Sequence, residues 1–188
     1  MPRTSLQFKK MKDERKLSIL EAALPLFSIH GEKVTIDMVS AAAKCSHGLV
    51  YHYFKNVDEI FEELLHSETY VSLKEKLFID ETGRYAYEVI KDIMNELHGL
   101  TSYEDMCFAN IILSLEGKKS LFDKVTALVA RGQKEGEVTG GDPREITMCA
   151  FMLYKGIFLC HITNKKFKYK NPTFDNVMKI FKKVSYQY

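Results

Sequence analysis

Residues 35–61, TIDMVSAAAKCSHGLVYHYFKNVDEIF, decide the fold of the amino-terminal part of this chain. Two short segments with helical apolar spacing flank a break at Lys44-Cys45. Thr35 and Ser46 stand where the two helices would begin, and both are typical N-cap residues. Asn56, with Glu59 three residues later, forms a capping pair that would start a further helix. The stretch therefore predicts two short helices joined by a tight turn, the layout of a helix-turn-helix.

Helical periodicity extends over the rest of the chain and predicts an all-α protein of about nine helices. Residues 1–10 are expected to form a loose arm, and the first helix runs from Glu14 to about His30. The helix that starts at Asn56 is expected to reach about Lys76. Further helices are predicted over 84–99, 104–116, 120–136, 142–163 and 173–185. We expect a three-helix domain over residues 1–57 and a larger helical domain over residues 58–188.

Charge is distributed unevenly along the 188 residues although the net charge is only +2. Residues 1–57 carry nine Lys/Arg and five Asp/Glu, a balance of +4. Residues 58–137 carry nine and seventeen, a balance of −8, and residues 138–188 carry nine and three, a balance of +6. A basic amino-terminal segment suits a polyanionic partner, whereas the acidic middle is explained by solvated helix faces.

Cysteine spacing and the lengths of the apolar runs indicate the cellular compartment of the protein. Four cysteines, none in a C-x-x-C arrangement, lie among apolar neighbours and are typical of small buried side chains in a reducing environment. The longest apolar runs, Met106 to Leu115 and Met148 to Cys160, are interrupted and shorter than a bilayer requires. We therefore predict a cytoplasmic protein without a membrane-spanning segment.

The second helix of the helix-turn-helix carries side chains suited to DNA. A helix that enters the major groove needs a small or polar amino-terminal end, together with donors for phosphates. His47 and Gly48 occupy that end, and Ser46 precedes them. The alternative is that the nearby tyrosines are partly buried aromatics and that His52 is an ordinary surface histidine. Because the rings follow a Ser-x-Gly opening, the pattern favours DNA binding.

The segment from Ile19 to Leu65 resembles the DNA-binding domain of the TetR family of transcriptional regulators. The resemblance rests on Leu26-Phe27 with Gly31, Thr35, Ala41-Ala42-Ala43, Ser46-His47-Gly48-Leu49-Val50-Tyr51-His52-Tyr53-Phe54 and Asn56-Val57-Asp58-Glu59-Ile60-Phe61. It implies an all-helical homodimeric repressor that binds a palindromic operator and is released by a small ligand. The domain over residues 1–57 would then bind DNA, and residues 58–188 would bind the effector and form the dimer.

The resemblance also implies roles for individual residues. The positions that usually hold phosphates are matched by Thr35, Ser46, Tyr51 and Lys55. The positions that face bases are matched by His47, Gly48, Leu49 and His52, while Tyr53 matches one that often touches the DNA backbone. Lys44 stands where the family usually has a glycine, so either Lys44 takes a left-handed conformation at a cost on the order of 1 kcal/mol or the turn is reshaped.

Two further predictions concern the larger domain. The helix over 142–163 is apolar nearly all round, so either a deep core or a second subunit must cover it, and we expect a homodimer through 142–163 and 173–185. An apolar effector pocket is expected among side chains of the larger domain, although packing in the core would explain the same pattern. The candidate lining residues are Tyr103, Met106, Asn110, Leu113, Phe122 and Tyr154.

Other classes of protein fit the sequence less well. The six histidines form no H-E-x-x-H or comparable ligand spacing, so neither an enzyme nor a metal or cofactor site is predicted. The alternative that remains is a TetR-like DNA-binding factor without a small-molecule effector, which would organise DNA or bind a partner.

Overall fold

The computed structural model describes residues 5–117, 120–163 and 170–183, with side chains described from residue 13 onward. Within these ranges the chain forms ten α-helices and no β-strand, so the all-α prediction is confirmed. The chain divides into two compact units, residues 1–71 and residues 72–188. The functional division at residues 57 and 58 assigns roles to the two parts and stays a prediction.

The first unit contains four helices and the start of a fifth. These are α1 (Ser5–His30), α2 (Ile36–Ala42), α3 (His47–Tyr53), α4 (Val57–Leu65) and α5 (Glu68–Leu77). The second unit continues with α6 (Ala86–Gly99), α7 (Tyr103–Ile112), α8 (Leu121–Lys134), α9 (Pro143–Thr163) and α10 (Phe174–Met178).

The predicted single helix from Asn56 to Lys76 is divided into α4 and α5 at His66-Ser67. The hydroxyl of Ser67 accepts a hydrogen bond from the Tyr70 N–H over 3.2 Å, as an N-cap does. The same hydroxyl donates to the carbonyl of Leu64 over 2.8 Å, which satisfies an orphan carbonyl at the end of α4. The sequence prediction of one helix was wrong because apolar periodicity continues across this local break.

Two other helix ends differ from the predictions. The first helix begins at Ser5, not near Glu14, because residues 5–14 contain strong helix formers and neither glycine nor proline. The predicted helix over 173–185 is limited to Phe174–Met178, and the chain then turns. Residues 184 and 185 of that prediction lie outside the described residues.

The core of the first unit is built on α1, which lies against α2 and α4. Ile19, Ala23 and Phe27 recur every four residues on one face of α1 and are buried. The Phe27 ring lies 4.9 Å from that of Phe61 on α4, centroid to centroid. Because α2 in turn contacts α3, this core holds the helix-turn-helix in place.

In the second unit, α8 contacts both α6 and α9, and α9 also contacts α7. After α8 the chain reverses tightly, with the N–H groups of Glu137 and Val138 both donating to the carbonyl of Gly132. Thr139 then donates its N–H to the carbonyl of Phe181 over 2.9 Å, which fixes the segment that follows α10. The interior of this unit is therefore formed by α6 to α9.

Candidate nucleic-acid interface

The first helix of the motif, α2, has well-defined ends. The Met38 N–H donates to the hydroxyl of Thr35 over 3.3 Å, so Thr35 is the predicted N-cap. At the other end the Lys44 N–H donates to the carbonyl of Ala41 over 3.2 Å, and the Cys45 N–H donates to that of Ser40 over 3.0 Å. This pair of bonds is a Schellman motif, in which the chain reverses direction after the helix.

Lys44 takes the left-handed conformation, so the turn is not reshaped around the lysine. Its φ is 51°, and it is the one non-glycine residue with positive φ in the described part of the chain. A side chain other than glycine is strained in this region because its Cβ approaches the backbone. The turn therefore keeps the geometry typical of a glycine while carrying a lysine.

The second helix, α3, has one buried side and one exposed side. The Leu49 N–H donates to the Ser46 hydroxyl over 3.3 Å, which makes Ser46 the N-cap. Val50 and, just after the helix, Phe54 are almost completely buried and anchor α3 to the core. The opposite side carries the predicted DNA-binding residues, of which Ser46, His47, Gly48, Tyr51 and His52 are exposed and Leu49 and Tyr53 half-buried.

The segment between α3 and α4 is held by two hydrogen bonds of Glu59. The Glu59 N–H donates to Oδ1 of Asn56 over 2.8 Å, which confirms the predicted capping pair. The Glu59 carboxylate in turn accepts from the backbone N–H of Lys55 over 2.5 Å. With its backbone fixed in this way, Lys55 presents an exposed side chain beside the carboxyl end of α3. Thr35, the other predicted flanking residue, is also exposed.

The contacts of two side chains in this unit, Lys16 and His47, were not predicted from the sequence. Nζ of Lys16 lies 2.5 Å from Oε1 of Glu63 and 5.4 Å from the centroid of the Phe54 ring, so it links α1 to α4 and covers the end of α3. Nε2 of His47 lies 3.3 Å from Oδ1 of Asp37, which joins the first turns of α3 and α2. Periodicity carries no signal for either contact, because the partners lie on different helices.

The exposed side of α3 has the chemistry of a groove-reading helix. Its seven residues span about 10 Å, at about 1.5 Å per residue, and a helix of this diameter enters the major groove. Imidazole and hydroxyl groups of His47, His52 and Tyr51 supply donors and acceptors for base edges and phosphates. No side chain crowds Gly48, since a Cβ built there would meet no atom within 4 Å.

The predicted effector-binding residues belong to the second unit and differ in exposure. Met106 and Asn110 on α7 are buried, as is Leu113 just beyond its end, whereas Tyr103 is largely exposed. Tyr154 on α9 is buried and donates its hydroxyl hydrogen bond to the carbonyl of Met94 over 2.9 Å. Its role, like that of the α7 residues, stays a prediction.

The remaining candidate, Phe122 on α8, lies at the edge of this region. Its ring packs edge-on against that of Phe151 on α9, with 5.5 Å between centroids. The guanidinium of Arg144 lies 5.0 Å from the Phe122 centroid and 3.5 Å from a carboxylate oxygen of Asp123. A cation and an aromatic ring are thus adjacent where α8 and α9 begin.

Within the described residues, no group of three or more His, Cys, Asp or Glu side chains is arranged to hold a metal ion. By length and composition alone α9 would cross a membrane, a property shared by core helices of soluble proteins. With 21 residues, α9 is longer than its apolar run from Met148 to Cys160, and only the length of that run was expected to be too short for a bilayer.

Fold and site together define a helix-turn-helix regulator of transcription. Residues 19–64 match the family described as bacterial regulatory proteins, tetR family, over the segment that holds the carboxyl-terminal part of α1, all of α2 and α3 and nearly all of α4. These residues therefore carry a TetR-type DNA-binding domain, which confirms the resemblance inferred from the motifs of this segment.

Proteins similar to this one support that conclusion. The HTH-type transcriptional regulator YhgD of Bacillus subtilis (strain 168) is 27% identical over 163 residues, which cover 77% of this chain and 81% of YhgD. The structure of AibR in complex with isovaleryl coenzyme A and operator DNA superposes with a TM-score of 0.56 at 17% identity, covering 88% of this chain and 94% of AibR. SCO3833, a TetR family member from Streptomyces coelicolor A3, gives a TM-score of 0.55 at 16% identity, covering 89% and 91%. At these identities the two structures establish the fold.

Proposed function

We propose that this chain is a cytoplasmic homodimeric repressor of the TetR family, not an enzyme. In this proposal it binds a palindromic operator and leaves it when a small, largely apolar ligand binds the second unit. The observation that carries the proposal is the two-sided character of α3, which is anchored by buried Val50 and Phe54 and leaves His47, Gly48 and His52 exposed. An exposed helix face of this kind, aimed by a preceding helix, is the arrangement that reads base edges.

The roles proposed for the DNA contacts are those that the resemblance implies. His47, Gly48, Leu49 and His52 face the bases, and the helix backbone approaches the groove floor at Gly48 because no side chain intervenes. The phosphate contacts come from the remaining exposed or half-exposed donors, which are Thr35, Ser46, Tyr51, Tyr53 and Lys55. Phosphate contacts fix the orientation of the protein, whereas base contacts give it sequence preference.

A homodimer is supported by the exposed face of α9. Met148, Met152 and Leu159 are 43%, 53% and 41% exposed and recur at spacings of four and seven, so they share one side of the helix. Gly156 lies between them and permits close approach of another helix. The opposite side of α9 is buried in the second unit, so the apolar stripe requires a partner. The dimer proposed here rests on α9, since α10 is only five residues long.

An effector is supported by the interior between α7 and α9. Met106 and Asn110 are buried on α7, and Tyr154 is buried on α9, which packs against α7. A polar amide and a phenol among apolar side chains are what a small apolar ligand with one polar group needs for orientation. AibR, which has a similar fold, forms a complex with isovaleryl coenzyme A, an acyl compound.

Selection of bound sequences from random double-stranded DNA by the purified full chain tests the proposal. We expect a palindrome whose half-sites lie about 34–36 Å apart, one turn of the double helix, because two recognition helices of a dimer meet successive major grooves. Affinity for that site falls steeply with added salt, since phosphate contacts release counterions. Failure to enrich any sequence, with the fold intact by circular dichroism, contradicts the proposal.

Release from the selected operator tests the ligand. Medium-chain fatty acids and isovaleryl coenzyme A are titrated onto the complex, and release at a concentration that leaves an unrelated DNA-binding protein bound is the expected result. If the operator is found but neither class of compound releases it, the factor without a small-molecule effector becomes the better description. The two outcomes therefore separate the proposal from its alternative.

A further inference from the structure

The pair formed by His47 and Asp37 joins the two helices of the DNA-reading motif at their amino-terminal ends. Nε2 of His47 lies 3.3 Å from Oδ1 of Asp37, and the two side chains are 57% and 79% exposed. Asp37 belongs to the first turn of α2 and His47 is the first residue of α3. Both helices have fixed amino-terminal ends, because Thr35 and Ser46 cap them. The backbone on each side of the pair is therefore held in place.

The chemistry of the pair is asymmetric. An ionised carboxylate only accepts hydrogen bonds, so a ring facing it through Nε2 carries its hydrogen on that atom. In the neutral ring the other nitrogen, Nδ1, is then an acceptor. Since Nε2 is directed toward α2, Nδ1 lies on the far edge of the ring and remains available to another molecule.

We infer that Asp37 is a positioning residue for His47, holding the imidazole by Nε2 so that Nδ1 faces the DNA major groove as a hydrogen-bond acceptor. The inference rests on the proposed DNA reading by α3 and specifies what that helix selects. In the major groove, amino donors are presented by cytosine at N4 and by adenine at N6, whereas guanine and the oxygen of thymine present acceptors. On the strand that the His47 ring contacts, the position therefore favours cytosine or adenine.

The first measurement concerns the free protein and needs no DNA. Histidine is labelled with ¹³C in the ring, and relaxation reports the mobility of the His47 ring, assigned by its loss in His47→Gln. We expect the ring to be more mobile in Asp37→Ala than in the parent and restricted again in Asp37→Glu. Glu32→Ala, which removes one exposed acidic group outside the pair, is the matched control and leaves the ring unchanged. Equal ring mobility in the parent and in Asp37→Ala overturns the inference.

The second measurement is a double-mutant cycle on the selected operator. Each base pair of a half-site is changed in turn, and the parent is expected to prefer cytosine or adenine at one position by about fivefold, a modest base contact. Asp37→Ala and His47→Ala should each remove this preference, and the double variant should lose no more than either. Additive losses, or an equal change on every sequence as expected for lost charge alone, overturn the role of Asp37.

The two measurements also separate this inference from the function on which it rests. If no operator is selected, the proposed function fails and the base preference fails with it. The ring measurement still decides, in that case, whether Asp37 holds His47. If an operator is selected but His47→Ala changes no base preference, the proposed function stands and the acceptor role of Nδ1 is wrong.

Discussion

The hydroxyl of Tyr154 donates a hydrogen bond of 2.9 Å to the backbone carbonyl of Met94, joining α9 to α6 inside the second unit. Tyr154→Phe removes the bond but keeps the ring, and the carbonyl retains its helical partner within α6. We therefore expect a loss of about 1 kcal/mol in the free energy of unfolding near neutral pH, the usual net value of one buried hydrogen bond. Urea denaturation of the parent and the variant measures this difference in the free energy of unfolding.

The stability difference between the parent and Tyr154→Phe should also depend on pH. Burial raises the pKa of Tyr154 well above that of an ordinary tyrosine, which is about 10. A raised pKa in the folded state means that the stability contributed by the neutral phenol is complete below about pH 10 and is lost as the pH rises above that value. The difference between parent and Tyr154→Phe should be constant up to about pH 9 and shrink as the pH rises above about 10. A difference that stays constant above about pH 10 would show that the phenol ionises as easily in the folded chain as in the unfolded one.

Local features of this chain were readable from its sequence, whereas contacts between helices were not. Caps such as Ser46 and Asn56 depend on backbone groups three residues away, so residue type and spacing predict them. The break at Ser67 is equally local, but continuing apolar periodicity concealed it. The link between Lys16 and Glu63 joins residues 47 apart, and only the packing of α1 on α4 creates it. Burial of Tyr154 on α9 likewise depends on its contacts with α6.

Lys44 offers a test of strain in the turn. With its φ at 51°, it lies in the left-handed region, which costs a non-glycine residue about 1–2 kcal/mol. Glycine removes that cost but makes the unfolded chain more flexible by about 0.4–1 kcal/mol. Lys44→Gly should therefore stabilise the protein by about 0.5–1 kcal/mol in urea denaturation. Lys44→Ala, which removes the same charge but keeps a Cβ, is the control and should show no such gain.

Gly132 tests a close approach between α8 and the segment that follows it. A Cβ at this position would lie 2.4 Å from Cγ2 of Val138, a side chain that is itself buried. Overpacking of this kind costs about 1–3 kcal/mol, and we expect Gly132→Ala to destabilise the protein by that amount. Gly48→Ala, at a helical glycine with open space around it, should instead stabilise by about 0.5–1 kcal/mol.

A second substitution, at Val138, tests whether a steric clash causes the destabilisation expected for Gly132→Ala. Val138→Ala relieves the contact, so the double variant Gly132→Ala with Val138→Ala should be more stable than the sum of the two single losses predicts. Thermal or urea denaturation of the four proteins gives the coupling. Strictly additive losses would mean that the Cβ of residue 132 does not meet Val138.

Met152 tests the proposed dimer. A carboxylate placed in the middle of the apolar stripe on α9 would lose its hydration at an interface, so Met152→Glu should dissociate the dimer. Sedimentation equilibrium should give the parent twice the 21.7 kDa mass of one chain and the variant a single mass. Tyr85→Glu, at another exposed apolar side chain of the second unit, serves as the control and should leave the dimer intact. A monomeric parent, or a dimeric Met152→Glu, argues against this use of α9.

His52 and Lys55 lie close together in sequence, yet we expect them to have different roles in DNA binding. His52 faces a base, so His52→Ala should change the preferred sequence at one position of each half-site by about 1–3 kcal/mol. Lys55 binds a phosphate, and Lys55→Ala should weaken binding to every sequence alike and reduce the salt slope by about one.

Binding titrations at several salt concentrations, on the selected operator and on single-base variants of it, resolve the two effects. Lys76→Ala removes an exposed lysine of α5 and should change neither quantity. If His52→Ala and Lys55→Ala both bind the operator and random DNA as the parent does, α3 is not the helix that reads DNA. If instead His52→Ala weakens all sequences equally, this histidine contacts the phosphate backbone, and base recognition must come from the amino-terminal end of α3.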